Sequence, residues 1–390
     1  MYKALRSQFL LWMGAAISIA EIVTGTLIAP LGLAKGTLAI IVGHLIGCFL
    51  FLLPAGYIGA VQHQTAIQST ESAFGKQGVW GFSLINALQL LGWTAVMIVN
   101  AAQAMNGVSR RLFGFQSTWV MSAIVAVLII IWLLLDTKLL FRINNFVVGL
   151  LFLGALLMLF EIFKAPVASH QVATGGMTFG GAVELNVTMA LSWLPLIGDY
   201  TRTTKRPLQI ALTSALGYFV GSLFMFMTGL LIVTRTGMTD IASLLTASGL
   251  GLVALFIVIF STVTTTFMDA YSAATNIDNL FHSKKTNFIG VGVTIVGLLI
   301  ALVVSMTFYQ NFLYFIGSVF TPLYAIVFVT FFITKQSLPK LWNLGLWLIG
   351  VWGYYALQQV ASPLGTTFLL LIGMAILVVA SHWLVKLIKN

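Results

Sequence analysis

The chain has 390 residues, 59% of them hydrophobic and 7% charged, with 19 Lys and Arg against 9 Asp and Glu, and a mean hydropathy of +1.03. A soluble domain carries about 25% charged residues, so most of this surface faces something other than water. The basic excess does not point to nucleic acid. Its cations stand singly or in pairs between apolar stretches, the pattern of loop charges at lipid headgroups. Cys48 is the only cysteine, which excludes a disulfide framework or a thiolate metal site.

A helix needs about 20 mainly apolar residues to cross a bilayer. Such windows occur near 8–29, 36–60, 79–105, 117–135, 139–163, 180–198, 208–234, 247–275, 287–306, 311–334, 342–360 and 365–387. The pattern predicts an all-α polytopic membrane protein of about twelve spans. An open sheet would leave unpaired edges in lipid, and a barrel would alternate in runs of about 10 residues. The first window follows Lys3 and Arg6 and reads as a retained first helix, being too long for a signal peptide. With the N-terminus cytoplasmic, the inside segments hold Lys3, Arg6, Lys76, Lys138, Arg142, Arg202, Lys205, Arg206, Lys284, Lys285, Lys335, Lys340, Lys386 and Lys389. The outside loops hold Lys35, Arg110, Arg111, Lys164 and Arg235. This bias predicts both termini in the cytoplasm of a cell-membrane protein. The connecting segments, of which 61–78 and the glycine-bearing 164–180 are longest, leave no room for a soluble catalytic domain.

Polar residues inside the spans carry the information. Span 1 reads Ser18-Ile19-Ala20-Glu21-Ile22-Val23-Thr24-Gly25-Thr26. A carboxylate at mid-membrane costs roughly 2.5–3.5 kcal/mol or more, so Glu21 faces a functional cavity, is protonated, or meets a partner on a neighbouring helix. Gly25 permits unwinding, and freed carbonyls can coordinate a cation. Span 3 places Gln89 and Trp93 four apart on one helix face, an indole to stack on a flat heterocycle and an amide to read its edge. His44 and Asn100 fit packing hydrogen bonds. In span 6, Pro195 clashes with the carbonyl of Leu191, giving either a simple kink or a break beside Ser192 and Trp193. Asp199 and Arg202 at its end form either a surface turn pair or a gate latch. Span 8 carries Thr264, Thr265 and Asp269. Thr265 and Asp269 share a face, and their oxygens suit Na⁺ or another hard cation, although threonines in membrane helices also bond back to carbonyls. Interrupted spans five apart in two halves point to a transporter's central site.

The run from Ser192 to Arg202, Gly92-Trp93 and the Thr-rich span 8 resemble the nucleobase:cation symporter family number one. Ile19 to Thr26 and Thr264 to Ser272 are most similar to its hydroxymethylpyrimidine (thiamin-precursor) subgroup. The resemblance covers nearly the whole chain. It implies a LeuT-type fold: a first five-helix repeat over 1–165, an inverted second repeat over 175–335 and two extra helices over 340–390. It implies that Trp93 stacks on the ring with Gln89 nearby. It also implies that Thr264 and Thr265 bind Na⁺ with the carbonyls of Ala20 and Val23 at the span 1 break. The family's second stacking aromatic would fall near Ala190 rather than on Trp193. Asp269 stands where relatives often carry asparagine.

The expected function is therefore a secondary active symporter. It would import a pyrimidine-type heterocycle, hydroxymethylpyrimidine or cytosine, by alternating access. Substrate contacts are expected from Glu21, Gln89, Trp93, Ser192, Trp193 and Asp269, with Na⁺ or H⁺ as coupling ion, no cofactor, and function as a monomer in the lipid bilayer. An amino-acid or polyamine carrier of the same fold is the alternative. An intramembrane enzyme is disfavoured, since no His-Glu-x-x-His or adjacent-Asp motif occurs.

Overall fold

The computed structural model describes residues 2–135, 137–167, 176–238, 251–281 and 285–389; Gly175 and Lys284 lie outside them. Among the described residues the chain is helical throughout, with no strand, as a backbone in lipid requires. The helices are α1 Tyr2–Ala16, α2 Ile19–Leu27, α3 Gly32–Leu45, α4 Leu53–Gln62, α5 Glu71–Phe113, α6 Thr118–Leu134, α7 Thr137–Lys164, α8 Phe179–Leu191, α9 Leu194–Thr201, α10 Pro207–Thr236, α11 Gly251–Phe281, α12 Thr286–Ala301, α13 Tyr309–Phe328, α14 Lys340–Leu357 and α15 Gly365–Lys389. Short π-helical segments, Ile46–Leu52 and Val329–Thr334, join α3 to α4 and extend α13.

Eight stretches of the described residues are long and apolar enough to cross a membrane, and α6 and α12 are shorter apolar helices. The stretch Ile19–Gln62 holds parts of two expected spans, separated at Gly32, whose φ of 73° breaks the helix. α14, read from sequence as a span, is not among the eight, because Lys340, Asn343 and its Trp and Tyr residues dilute its apolarity. The segment 61–78, read as a connection, is already helical from Glu71, with a kink at Gly75.

Two compact units emerge. The first comprises Met1–Leu38, Asn86–Met177 and Leu216–Tyr309; the second comprises Ala39–Ile85, Thr178–Ala215 and Gln310–Asn390. In the first unit, α11 packs against α1, α2, α6, α7 and α12, and α1 lies against α7. In the second, α9 packs on α4, while α8 contacts the first π segment and α15, which also packs on α14. Large apolar side chains such as Trp119, Phe146, Leu153 and Ile376 are exposed, an arrangement suited to lipid contact. The polar side chains Thr24, Gln89, Glu184 and Thr266 are buried.

Candidate substrate and cation site

Within the first unit the first span is interrupted at Ile17 and Ser18. The Ile17 N–H is shared between the carbonyls of Met13 (3.1 Å) and Gly14 (3.2 Å), and Ser18 is extended (φ −135°, ψ 157°) before α2 begins. The break thus precedes the Thr24-Gly25-Thr26 segment where sequence placed it. Those residues are helical, and the Thr24 and Thr26 hydroxyls donate to the carbonyls of Ala20 (2.7 Å) and Val23 (2.6 Å). The two carbonyls expected to hold a cation therefore lie inside α2 and already accept hydroxyls. Gly25 serves a different purpose. A Cβ there would collide with the Phe226 carbonyl of α10, and one on Gly229 would collide with the Ile22 carbonyl. These are backbone contacts that cannot swing aside. Gly25→Val is expected to cost about 1–3 kcal/mol or more through overpacking. A lower unfolding midpoint and folded yield on size-exclusion chromatography would show it; an unchanged midpoint would refute the close approach.

Glu21 occupies the first turn of α2, 2% exposed, where the helix dipole favours negative charge. Its two oxygens accept the hydroxyls of Tyr218 (2.7 Å) and Ser222 (2.6 Å), four residues apart on α10. Trp12 packs edge-on against Tyr218, with ring centroids 6.5 Å apart. The carboxyl thus meets partners on a neighbouring helix. Each oxygen retains a further lone pair as an acceptor.

Gln89 and Trp93 are both buried on α5. The Gln89 amide donates to Asn86 at 3.4 Å. The Trp93 indole meets Tyr309 in a T-shaped pair at 6.1 Å. The Tyr309 and Thr24 hydroxyls lie 2.8 Å apart. Since the Thr24 proton goes to the Ala20 carbonyl, Tyr309 is the donor. Indole, phenol and hydroxyl thus form a chain of contacts that ends at Thr24, one turn from Glu21 on α2. Sequence reading missed Tyr218, Ser222 and Tyr309. The i, i+4 pair Tyr218 and Ser222, in the apolar stretch 215–227 of α10, was the available signal.

On α11 the expected pair of threonines divides. The Thr264 hydroxyl bonds back to the carbonyls of Phe260 (2.8 Å) and Ser261 (3.1 Å). Thr265 reaches the Ala15 carbonyl at the end of α1 (3.3 Å). Thr265 therefore adjoins the break, and the carbonyl beside it belongs to Ala15 rather than to Ala20 or Val23. Asp269, one turn on, is 4% exposed.

The second unit carries its own break. α8 ends at Leu191, Ser192 and Trp193 form the turn, and α9 restarts with Pro195 in its first positions. The Leu194 carbonyl accepts the Tyr324 hydroxyl at 3.0 Å. Ser192 bonds back to Met189, and Trp193 is buried. Asp199 accepts the Ala66 N–H at 3.1 Å. Among the described residues the one ion pair within 4 Å is Lys164–Glu161, so Asp199 and Arg202 form no such pair. His44 bonds Ile40 in its own helix (2.8 Å). Sequence reading also missed Glu184 of α8. It is 3% exposed and accepts the hydroxyls of Tyr354 (2.6 Å) and Thr367 (2.7 Å) and the Thr367 N–H (2.8 Å).

Residues 3–388 match the family described as permeases for cytosine/purines, uracil, thiamine and allantoin. The chain belongs to this permease family. It is a membrane transporter of the nucleobase type and not an enzyme. The cytosine permease of Escherichia coli K12 is 22% identical over 388 residues, covering 92% of this chain and 81% of that protein. A purine-cytosine permease of Emericella nidulans is 25% identical over 243 residues, covering 58% of this permease and 45% of that one. Among solved structures, Mhp1, a nucleobase-cation-symport-1 family transporter, was captured closed with bromovinylhydantoin bound. It superposes with a TM-score of 0.75 at 20% identity, covering 97% of this chain and 92% of that one. A Na⁺-coupled sialic acid symporter superposes with a TM-score of 0.66 at 13% identity, covering 97% and 95%. The permease therefore shares their LeuT-type fold.

Proposed function

We propose that this permease imports an aminopyrimidine, hydroxymethylpyrimidine or cytosine, by symport with Na⁺ and alternating access. The reading rests on the chain of contacts from Trp93 through Tyr309 and Thr24 to the turn of α2 that carries Glu21. It links a stacking surface to a carboxyl group that can accept an exocyclic amine and share a proton with the adjacent ring nitrogen. Gln89 supplies an amide to the ring edge. A diketo ring such as uracil presents carbonyl acceptors where the carboxylate also accepts, and is the poorer fit. Thr265 and the Ala15 carbonyl at the break offer hard oxygens to the coupling ion. H⁺ in place of Na⁺ is the outcome that separate gradients distinguish. Ser192 and Trp193 would act at the second unit's own break.

On this reading, inverted repeats over 1–165 and 175–335 contribute the two broken spans, the basic bias supports cytoplasmic termini in the cell membrane, and one chain suffices for transport. Family membership weighs against the amino-acid or polyamine alternative.

The test is uptake of labelled hydroxymethylpyrimidine, cytosine and uracil into proteoliposomes under an imposed Na⁺ gradient and, separately, an H⁺ gradient. Na⁺-driven accumulation of an aminopyrimidine is expected. Trp93→Ala should lower it by about tenfold, since a base–aromatic stack is worth about 1–3 kcal/mol. No accumulation of either compound under either gradient, or equal uptake of uracil, would overturn the substrate assignment.

A further inference from the structure

We propose that Asp269, with the hydroxyl of Thr266, forms a second Na⁺ site in the first unit, on the cytoplasmic side of the span 1 break. Among the described residues, no hydrogen-bond or ionic partner reaches the Asp269 carboxylate. A lone buried carboxylate in a membrane segment costs several kcal/mol, and a hard cation offsets that cost directly. Thr266 lies three residues before Asp269, so the two side chains are neighbours on one helix face, and Thr262 lies one turn further from the carboxylate. Both threonines are fully buried, and both hydroxyl oxygens lack a hydrogen-bond partner. Most other threonines of the buried spans, Thr24, Thr94, Thr188 and Thr264 among them, donate back to a carbonyl of their own helix. The idle Thr266 hydroxyl one turn from an idle carboxylate makes an oxygen-only pair of the kind that hard cations take.

Its position follows from the helix register. Thr265 meets Ala15 at the break, and Asp269 lies about 6 Å further along the axis. That direction leads to one end of the unit. The Ala270 carbonyl and Leu133, in the last turn of α6, adjoin Gly290 in the second turn of α12. The chain segments beyond those helix ends carry Lys138, Arg142, Lys284 and Lys285, which marks the end as cytoplasmic. A cation leaving the break for the cytoplasm along α11 would meet Asp269 next. Asp269 is thereby assigned to the ion rather than to the heterocycle.

The inference rests on the proposed Na⁺ coupling, and ²²Na⁺ binding to the purified full-length permease without organic substrate tests it. Asp269→Asn should halve the ²²Na⁺ bound at saturation, as should Thr265→Ala, and the double variant should bind none. Thr266→Val keeps the shape and guards against misfolding; it should weaken the Asp269 site about tenfold, as the loss of about 1.4 kcal/mol implies. Wild-type binding in both Asp269→Asn and Thr266→Val overturns the second site and leaves Na⁺ coupling standing. If the wild type binds no ²²Na⁺, the second site and Na⁺ coupling fall together, while the substrate assignment is judged by uptake.

Discussion

Replacing Glu184 with alanine is expected to destabilise the permease by about 3 kcal/mol or more, the cost of stranding several buried donors. The carboxylate accepts three hydrogen bonds in the second unit. One comes from the Thr367 N–H in the first turn of α15, where backbone donors have no partner within the helix and the dipole favours an anion. Glu184 of α8 therefore caps α15, and through Tyr354 it also holds α14. Alanine strands the Tyr354 hydroxyl and both Thr367 donors in a buried setting, each at about 1–3 kcal/mol. Glu184→Gln keeps one acceptor oxygen for α15 and should lie between alanine and wild type. Thermal unfolding of the detergent-solubilised protein measures this order. Equal midpoints for alanine and wild type would mean that the cap contributes nothing.

The second large effect is expected at Glu21 and divides by substitution. Glu21→Gln should leave the fold intact, because the amide can accept from Tyr218 while donating to the Ser222 oxygen. Aminopyrimidine uptake should nevertheless fall about ten- to a hundredfold, as a hydrogen bond to a charged group is worth about 1.5–3 kcal/mol. Glu21→Ala should lose fold and uptake together, since both α10 hydroxyls are then stranded. The separation matters: a Glu21→Gln variant that transports like wild type would make the carboxylate purely a helix tie.

The helical class and most of the spans were legible in the sequence because apolar windows of bilayer length need no tertiary knowledge. The span 6 break was legible for a local reason, the clash of Pro195 with the preceding turn. The span 1 break carries no proline, and Gly25 drew the reading towards itself for the wrong reason. A glycine can mark unwinding or close packing, and only the Phe226 carbonyl opposite decides which. The carbonyls chosen by that logic, those of Ala20 and Val23, lie inside α2 and accept the Thr24 and Thr26 hydroxyls. Glu184 was missed because its partners are 170 and 183 residues away, beyond any spacing rule. Its setting, Ala182-Val183-Glu184-Leu185, was signal enough that something had to satisfy it.

The interlock of Gly25 with Phe226 and of Gly229 with Ile22 also restricts how this protein can evolve. Neither glycine can acquire a side chain while the opposing backbone stays in place, so a single mutational step at either position leads downhill. Paired changes that part the two helices would carry Glu21 away from Tyr218 and Ser222, which sit on the same stretch of α10. Saturation mutagenesis of positions 25 and 229 together should therefore recover almost nothing but the parental pair. Drift in substrate preference would instead be recruited from α5, where Gln89 and Trp93 can vary without disturbing that joint.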